Sequence, residues 1–567
     1  MTIEGRLRKL KRTFELVRRG AQVFRATGMQ ETLRPMVALK MARDVPKGRK
    51  GTLAVVHLHA VADPLRPALV GLSSAEGARE VRLNFGELEE RINRLTHALR
   101  QLGVGPGERV GAFLHNAPEY LELTAALHAV GGVSVQMGYR AKAAEIAYLL
   151  ENSGARVLVF HADLAPTVEE ALALGKGKLT REGCVAVGGA PGFRSYEELL
   201  EGGDPTEPAK VPGGGFGGVM VYTSGTTGKS KGAARDFRKM GMGPILAFIS
   251  QFPLRRDERH LVVCPLYHSA APAFAAMVLG VGGCNVILPS FDAELVLRTI
   301  ERERITSSMM VPTMLSRLMA LPAEIRRKYD TSSLRWIMSG AAPLPTDLAR
   351  RVEDAFGPIL YNFYGATETG LVSLAKPGEH TARPGTIGKL VGGNRVRLLD
   401  GEGHDVPQGQ VGELYVENAM LMDGYHDNDA ATRAATREGF ISVGDLAYQD
   451  KDGYLYLADR KSDMVISGGV NVYPWEIEQR LHEHPAVHEA AIVGVPDPEW
   501  GESLVAYVVL NEGRTATAEE LQEFVRLQLA DFKRPRKIYF VESLPRNPTG
   551  KVLKRELKAK AIAQAQA

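Results

Sequence analysis

Between His260 and Phe291 the chain runs for 32 residues without an Asp, Glu, Lys or Arg. A stretch this apolar must leave water. It can do so as a membrane-spanning helix, or as strand and helix packed inside a layered sheet. A span needs about 20 apolar residues in one unbroken helix. Here Pro265, His268, Pro272, Gly280, Gly282, Gly283, Asn285 and Pro289 interrupt the run. These breakers predict a buried strand–helix–strand and argue against a span.

The flanking sequence alternates in the same way. Periodicity predicts a helix over 85–102, a strand over 108–114, a helix over 117–130, a helix over 142–151 and a strand over 156–160. The run Gly213 to Gly218 reads as a loop feeding a strand at Val219–Tyr222. Near 395–460 the rhythm changes to short strands, such as Val396–Leu399, Gly412–Val416 and Gly453–Leu457. A smaller mixed unit follows Arg460, with helices at 474–484 and 517–529 and strands at 487–494, 503–510 and 537–541. The expected class is α/β: a large N-terminal body of layered α/β subdomains with a short-stranded β region, and a small α+β domain at the C-terminus. The expected division is an extension over 1–50, a body over 51–461 and a lid over 462–567.

Charge is distributed unevenly behind a net value of +4. Residues 1–50 carry 14 Lys/Arg against 4 Asp/Glu, and residues 533–567 carry 10 against 2, so the body between them is acidic. Basic ends point to anionic partners. Three cysteines, Cys184, Cys264 and Cys284, form neither a disulfide scaffold nor a paired zinc motif, and they fit a reducing compartment. The first 30 residues contain no apolar signal core, so a cytoplasmic location is expected. Residues 4–27 read as an amphipathic helix, with Leu7, Leu10, Phe14, Val17, Ala21 and Phe24 on one face. Two placements are open for it: docking on its own domain or on the partner of a homodimer, or peripheral contact with an anionic membrane.

Four motifs carry chemistry. Tyr222-Thr-Ser-Gly-Thr-Thr-Gly-Lys-Ser-Lys-Gly232 follows a strand, and its glycines and hydroxyls suit backbone contact with phosphate. It is not a Walker A loop, because only Thr226 and Thr227 separate Gly225 from Gly228. Tyr361-Asn-Phe-Tyr-Gly-Ala-Thr-Glu-Thr369, with Ser339-Gly-Ala-Ala342 upstream, places a carboxylate beside hydroxyls, a pattern that can hold Mg²⁺ on a nucleotide. Ser442-Val-Gly-Asp445 and Asp459-Arg460 offer a carboxylate for a ribose diol. Pro545-Arg-Asn-Pro-Thr-Gly-Lys551 presents one lysine on a turn.

In this order and at these separations, the motifs resemble the adenylate-forming superfamily of acyl-CoA synthetases, nonribosomal peptide adenylation domains and firefly luciferase. The resemblance spans roughly residues 80–560. It implies ATP, Mg²⁺ and coenzyme A as cofactor and co-substrates, a carboxylic acid as substrate, and no nucleic-acid partner. It also implies roles. Thr223, Ser224, Gly225, Thr226, Thr227, Gly228, Lys229 and Lys231 would grip the β- and γ-phosphates. Gly340, Ala341 and Ala342 would pack along adenine, with Asn362, Tyr364 and Gly365 close by. Thr367 would meet the α-phosphate and Glu368 the metal. Asp445 and Arg460 would hold the ribose, and Lys551 would bridge carboxylate and α-phosphate. His268 occupies the position of the acyl-pocket gate. The small domain would rotate between two half-reactions about Ser462, with Gly468 and Gly469 lining the thiol's path in the second. Two positions depart from the common pattern. Ser462 stands where the hinge usually has Asp or Lys, and Ser230 where the phosphate loop usually has Pro.

The acid is expected to be a medium- to long-chain fatty acid. Small residues in Ser269–Met277 leave room for a tail. Asp236, flanked by Arg235 and Arg238, reads as their ion-pair partner rather than as a site for an ammonium group. An aryl acid, transfer to a carrier protein, and a non-catalytic scaffold are the alternatives.

Overall fold

The computed structural model describes residues 18, 20–32, 37, 51–72, 80–175, 177–209, 217–223, 231–237, 246, 249–467, 470–498, 500–546 and 552–566. The charge-free stretch forms the strand Arg259–Val262, the helix Ala270–Val281 and the strand Cys284–Ile287. No described helix is long and apolar enough to cross a membrane. The two strands pair in parallel with each other. Parallel strands are covered on both faces by their crossover helices, which is why no charge follows Arg259 at the entrance of the first strand.

These strands belong to a large sheet with two characters. One half is mainly parallel, through Pro67–Gly71, Cys284–Ile287, Arg259–Val262, Ser307–Met309, Trp336–Ser339 and Leu360–Ala366. Beyond Leu360–Ala366 every pairing is antiparallel, through Gly370–Ala375, Thr386–Leu390, Leu455–Arg460, Phe440–Gln449, Gly412–Glu417 and Arg395–Leu399. The strand Gly412–Glu417 alternates buried and half-buried residues along its length, as expected for a sheet with one covered face. The rhythm change near residue 395 falls in this half.

A second, eight-stranded sheet has a parallel core, Gly218–Thr223, Val133–Gln136, Arg109–Phe113, Val157–His161, Cys184–Val187 and Arg194–Ser195. At one side Gly218–Thr223 turns back antiparallel into Lys231–Asp236. The helix Phe85–Gln101 starts at a reciprocal capping box between Asn84 and Glu87, a device that satisfies two otherwise orphaned N–H groups.

The C-terminal unit builds its own sheet from Val465–Ser467, Val470–Val472, Val487–Asp497, Gly501–Leu510 and Lys537–Phe540, with helices Pro474–His482, Ala518–Arg526 and Lys554–Gln566. It seats on the body beside Leu455–Arg460. A side-chain carbon added to Gly385 would lie 2.9 Å from the Trp475 indole, so glycine is needed for this close approach.

The N-terminal helix is described only from its C-terminal end. There Val23, Thr27 and Met29 are buried and Ala21 is exposed. The Arg256 N–H donates to the Thr27 carbonyl at 2.7 Å. Of the two described stripe residues, Phe24 packs against the core and Ala21 does not, so the docked face runs through Val23, Phe24 and Thr27. Leu7, Leu10, Phe14 and Val17 lie outside the described residues.

Candidate functional site

The Gly/Ser/Thr motif connects two paired strands, since Thr223 sits opposite Lys231. Ser224, Gly225, Thr226, Thr227, Gly228 and Lys229 lie outside the described residues, as do Gly468, Gly469 and Lys551. From the base of the hairpin, the Lys231 ammonium stands 5.3 Å from the centroid of the Tyr425 ring. The Tyr425 hydroxyl donates to Glu368 Oε1 at 3.0 Å. The Met422 N–H donates to the Glu368 carbonyl at 2.8 Å, so the loop after residue 417 is tied to the Thr367–Glu368 turn. Arg235 Nη2 donates to the Thr367 carbonyl at 2.7 Å. Burial lowers the Arg235 pKa to about 10, with Glu368 and Asp423 pulling it back up, so it remains a cation at neutral pH.

Glu368 is thus a buried carboxylate fixed by a phenol and facing a guanidinium. No cluster of three or more His, Cys, Asp or Glu able to hold a metal occurs among the described residues. Mg²⁺ is commonly held by one or two carboxylates together with nucleotide phosphates, and the Glu368 carboxylate is of the type that holds it.

The segment at His268 meets the same turn. Ser269 Oγ lies 3.5 Å from Thr367 Oγ1. Next to it, the half-buried His268 ring packs 4.2 Å from the Tyr267 ring, and its Nε2 finds no hydrogen-bond partner among the described residues. Burial lowers the His268 pKa to about 4, so the rim is neutral at physiological pH.

Asp445 and Arg460 face each other across neighbouring strands. The buried Tyr364 hydroxyl donates to Asp445 Oδ2 at 2.6 Å, and Arg460 Nε approaches Oδ1 at 3.2 Å. Burial, then the Asp445 charge, raise the Tyr364 phenol well above its ordinary value, so it stays a donor. Each carboxylate oxygen retains a lone pair for a vicinal diol.

Gly340 follows the strand Trp336–Ser339. A side-chain carbon there would lie 2.5 Å from the Phe363 ring. The next residue, Ala341, holds φ at 67°, a left-handed conformation that costs an L-residue about 1–2 kcal/mol. Asn362 is buried and pairs with Ser339 across the two strands. Gly340→Val is expected to force Phe363 from its place and to destabilise by about 1–3 kcal/mol. A melting curve, with ATP affinity measured alongside, checks this.

Ser462 is exposed and donates to its neighbour Asp463 at 3.1 Å. The charge here is carried by adjacent Lys461, whose ammonium lies 2.9 Å from Glu413.

Arg235, Tyr425 and Ser269 join the site although the motifs assign them no role in it. Arg235 and Asp236 are adjacent in a strand and point to opposite faces, so Arg235 turns toward Thr367. The sequence signal for it is a basic residue on the strand face shared by Lys231 and Ala233. Tyr425 has no such signal, being brought to Glu368 only by tertiary pairing of Gly424–Tyr425 with Ala233 and Ala234.

The sequence profile of the AMP-binding enzymes matches residues 57–426, and that of the AMP-binding enzyme C-terminal domain matches residues 476–551. The chain belongs to the AMP-binding enzymes. This AMP-binding enzyme is 37% identical over 478 residues to a feruloyl-CoA synthase of Amycolatopsis, covering 84% of this chain and 93% of that one. It is 34% identical to a medium/long-chain-fatty-acid–CoA ligase of Mycobacterium tuberculosis, covering 85% and 86%. Among solved structures, the anthranilate CoA ligase AuaEII in complex with anthranoyl-AMP superposes with a TM-score of 0.82 at 27% identity, covering 92% of this chain and 98% of that one. This AMP-binding enzyme is an acid–thiol ligase, a class that uses ATP, Mg²⁺ and coenzyme A.

Proposed function

We propose that this enzyme converts a medium- to long-chain fatty acid to acyl-AMP and then to acyl-CoA. The observation that supports acid activation most is that one segment, Tyr364 to Glu368, meets both groups: Tyr364 holds Asp445, which faces Arg460, and three and four residues on Thr367 meets Ser269 and Glu368 meets Tyr425. A carboxylate cannot acylate a thiol directly, because its leaving group would be oxide. In the first step the carboxylate oxygen attacks the α-phosphorus of ATP and pyrophosphate leaves. Asp445 and Arg460 hold the ribose, Thr367 orients the α-phosphate and Lys551 balances its growing negative charge. Mg²⁺ held by Glu368 would neutralise phosphate charge. In the second step the thiol attacks the acyl carbon and AMP leaves. The small domain rotates about Ser462 between the steps, exchanging Lys551 for the Gly468–Gly469 path.

The acid preference rests on the helix after the gate. Phe274, Ala275 and Val278 are buried on one side of Ala270–Val281, whereas Ala270, Ala273 and Gly280 are half-buried and Ala276 is exposed. This open face of small side chains runs about 15 Å at a helical rise of 1.5 Å per residue, room for an extended apolar tail. A second reading, an aryl acid, is favoured by the rings at the far side of this helix. Phe274 lies 5.3 Å from Phe252, 6.3 Å from Trp336 and 6.0 Å from Phe363. The relative that makes a feruloyl thioester favours it too. Pyrophosphate release over acids from acetate to long-chain fatty acids, with benzoates and cinnamates included, decides between them. Rising kcat/KM with chain length supports the fatty acid. A flat response to length with a preference for aromatic acids replaces it with the aryl reading.

A further inference from the structure

We propose that Asp459 and Lys554 are positioning residues, which together hold the stem of the Lys551 loop against the body during acyl-adenylate formation. The proposal rests on the role given to Lys551 above. Asp459 lies on the body strand Leu455–Arg460, immediately before the ribose-side Arg460. Its Oδ2 accepts the Trp475 N–H at 3.0 Å, at the start of the lid helix Pro474–His482. Its Oδ1 accepts the Arg460 N–H at 2.7 Å. One turn along that helix, Glu478 Oε1 lies 2.7 Å from Lys554 Nζ and accepts the Ile492 N–H at 2.7 Å. The path therefore runs from the ribose-side strand, through a helix N-terminus, to Lys554.

Lys554 opens the C-terminal helix and follows Lys551 by three residues, a length of chain that spans at most about 11 Å. The two ends of the intervening loop are also pinned. Arg546 pairs with Val552 as a β-bridge, the Leu553 N–H donates to the Pro545 carbonyl at 2.8 Å, and Arg546 is ion-paired with Glu489. These contacts stay within the lid, whereas Asp459 reaches it from the body.

The charges around the relay need one another. Burial pushes the Asp459 carboxyl up to about 6, with Lys554 opposing and Glu478 adding to the rise. Burial pushes the Lys554 ammonium down, and Glu478, Asp459 and Asp463 more than offset it. Without the ammonium, two partly buried carboxylates would repel each other with only backbone N–H groups to offset their charge. The lid would shift from the body at the strand that carries Arg460.

The test separates the half-reactions in the full-length enzyme. Lys554→Met is expected to lower acid-dependent ATP–pyrophosphate exchange by about ten-fold or more, through kcat rather than KM for ATP. Thioester formation from supplied acyl adenylate is expected to stay within about two-fold. Lys554→Arg is expected to recover most of the exchange. Asp459→Asn is expected to act in the same direction, with the double variant no worse than the poorer single one. Equal loss in both half-reactions would assign the pair to lid stability alone and overturn the proposal, as would undiminished exchange in both single variants. Lys551→Ala is measured beside them. If it abolishes exchange while Lys554→Met does not, the coupling fails and the Lys551 role stands. If exchange survives in Lys551→Ala, that role fails and the coupling with it.

Discussion

Lys551→Ala is expected to abolish acyl-adenylate formation while leaving thioester formation from supplied acyl adenylate close to wild type. The asymmetry follows from where charge develops. When the carboxylate attacks the α-phosphorus, negative charge accumulates on oxygens already carrying it, and a cation bridging both groups is worth most at that moment. Removing one such preorganised partner commonly costs about 10²–10³ in kcat. In thioester formation AMP is the leaving group, and in the proposed rotation the lid has carried this side chain away from it. Stopped-flow measurement of pyrophosphate release, with thioester formation followed separately from synthetic acyl-AMP, gives both rates. Equal losses in the two steps would mean that the variant damages the lid rather than the chemistry.

Asp445→Ala is expected to have the second large effect, on nucleotide binding. The carboxylate accepts from Tyr364 at 2.6 Å and lies 3.2 Å from Arg460. Its loss removes two acceptors for the ribose and leaves a buried phenol and a guanidinium without their partner. A hydrogen bond to a charged group contributes about 1.5–3 kcal/mol, so with water replacing one of the two acceptors KM for ATP is expected to rise by about 10- to 100-fold. Stability is expected to fall by about 1–3 kcal/mol through the orphaned Tyr364 hydroxyl. Tyr364→Phe separates the two consequences, because it removes the buried donor while keeping the carboxylate. Its effect on KM for ATP is expected to be small beside that of Asp445→Ala. A comparable rise in both would place the weight on the phenol instead of the ribose.

Much of the architecture is legible in the amino-acid sequence, for physical reasons. The run from His260 to Phe291 reads as strand–helix–strand because Pro265, Gly282, Gly283 and Pro289 fall at the joints, while Pro272 sits in the first turn of the helix and Gly280 in its last. The observed elements Arg259–Val262, Ala270–Val281 and Cys284–Ile287 are bounded there. Phe85–Gln101 and Pro118–Val130 are legible from helical periodicity. The partners of the motifs are not. Tyr425 reaches Glu368 across 57 residues of sequence, and Ser269 reaches Thr367 across 98. No local period encodes such a meeting. Arg235 shows a different limit. Neighbouring opposite charges suggest a pair, but strand geometry sends consecutive side chains to opposite faces. Of the N-terminal stripe, Phe24 packs against the core while Ala21 is exposed, because Val23 and Thr27 share the docked side with Phe24.

The most direct test of acid activation is ATP–pyrophosphate exchange with a single apolar acid and no coenzyme A. Activation through an acyl adenylate predicts exchange that depends on the acid and on Mg²⁺, with AMP and acyl-CoA appearing in equal amounts once coenzyme A is added. Exchange without acid, or ADP and phosphate as the products, would contradict it.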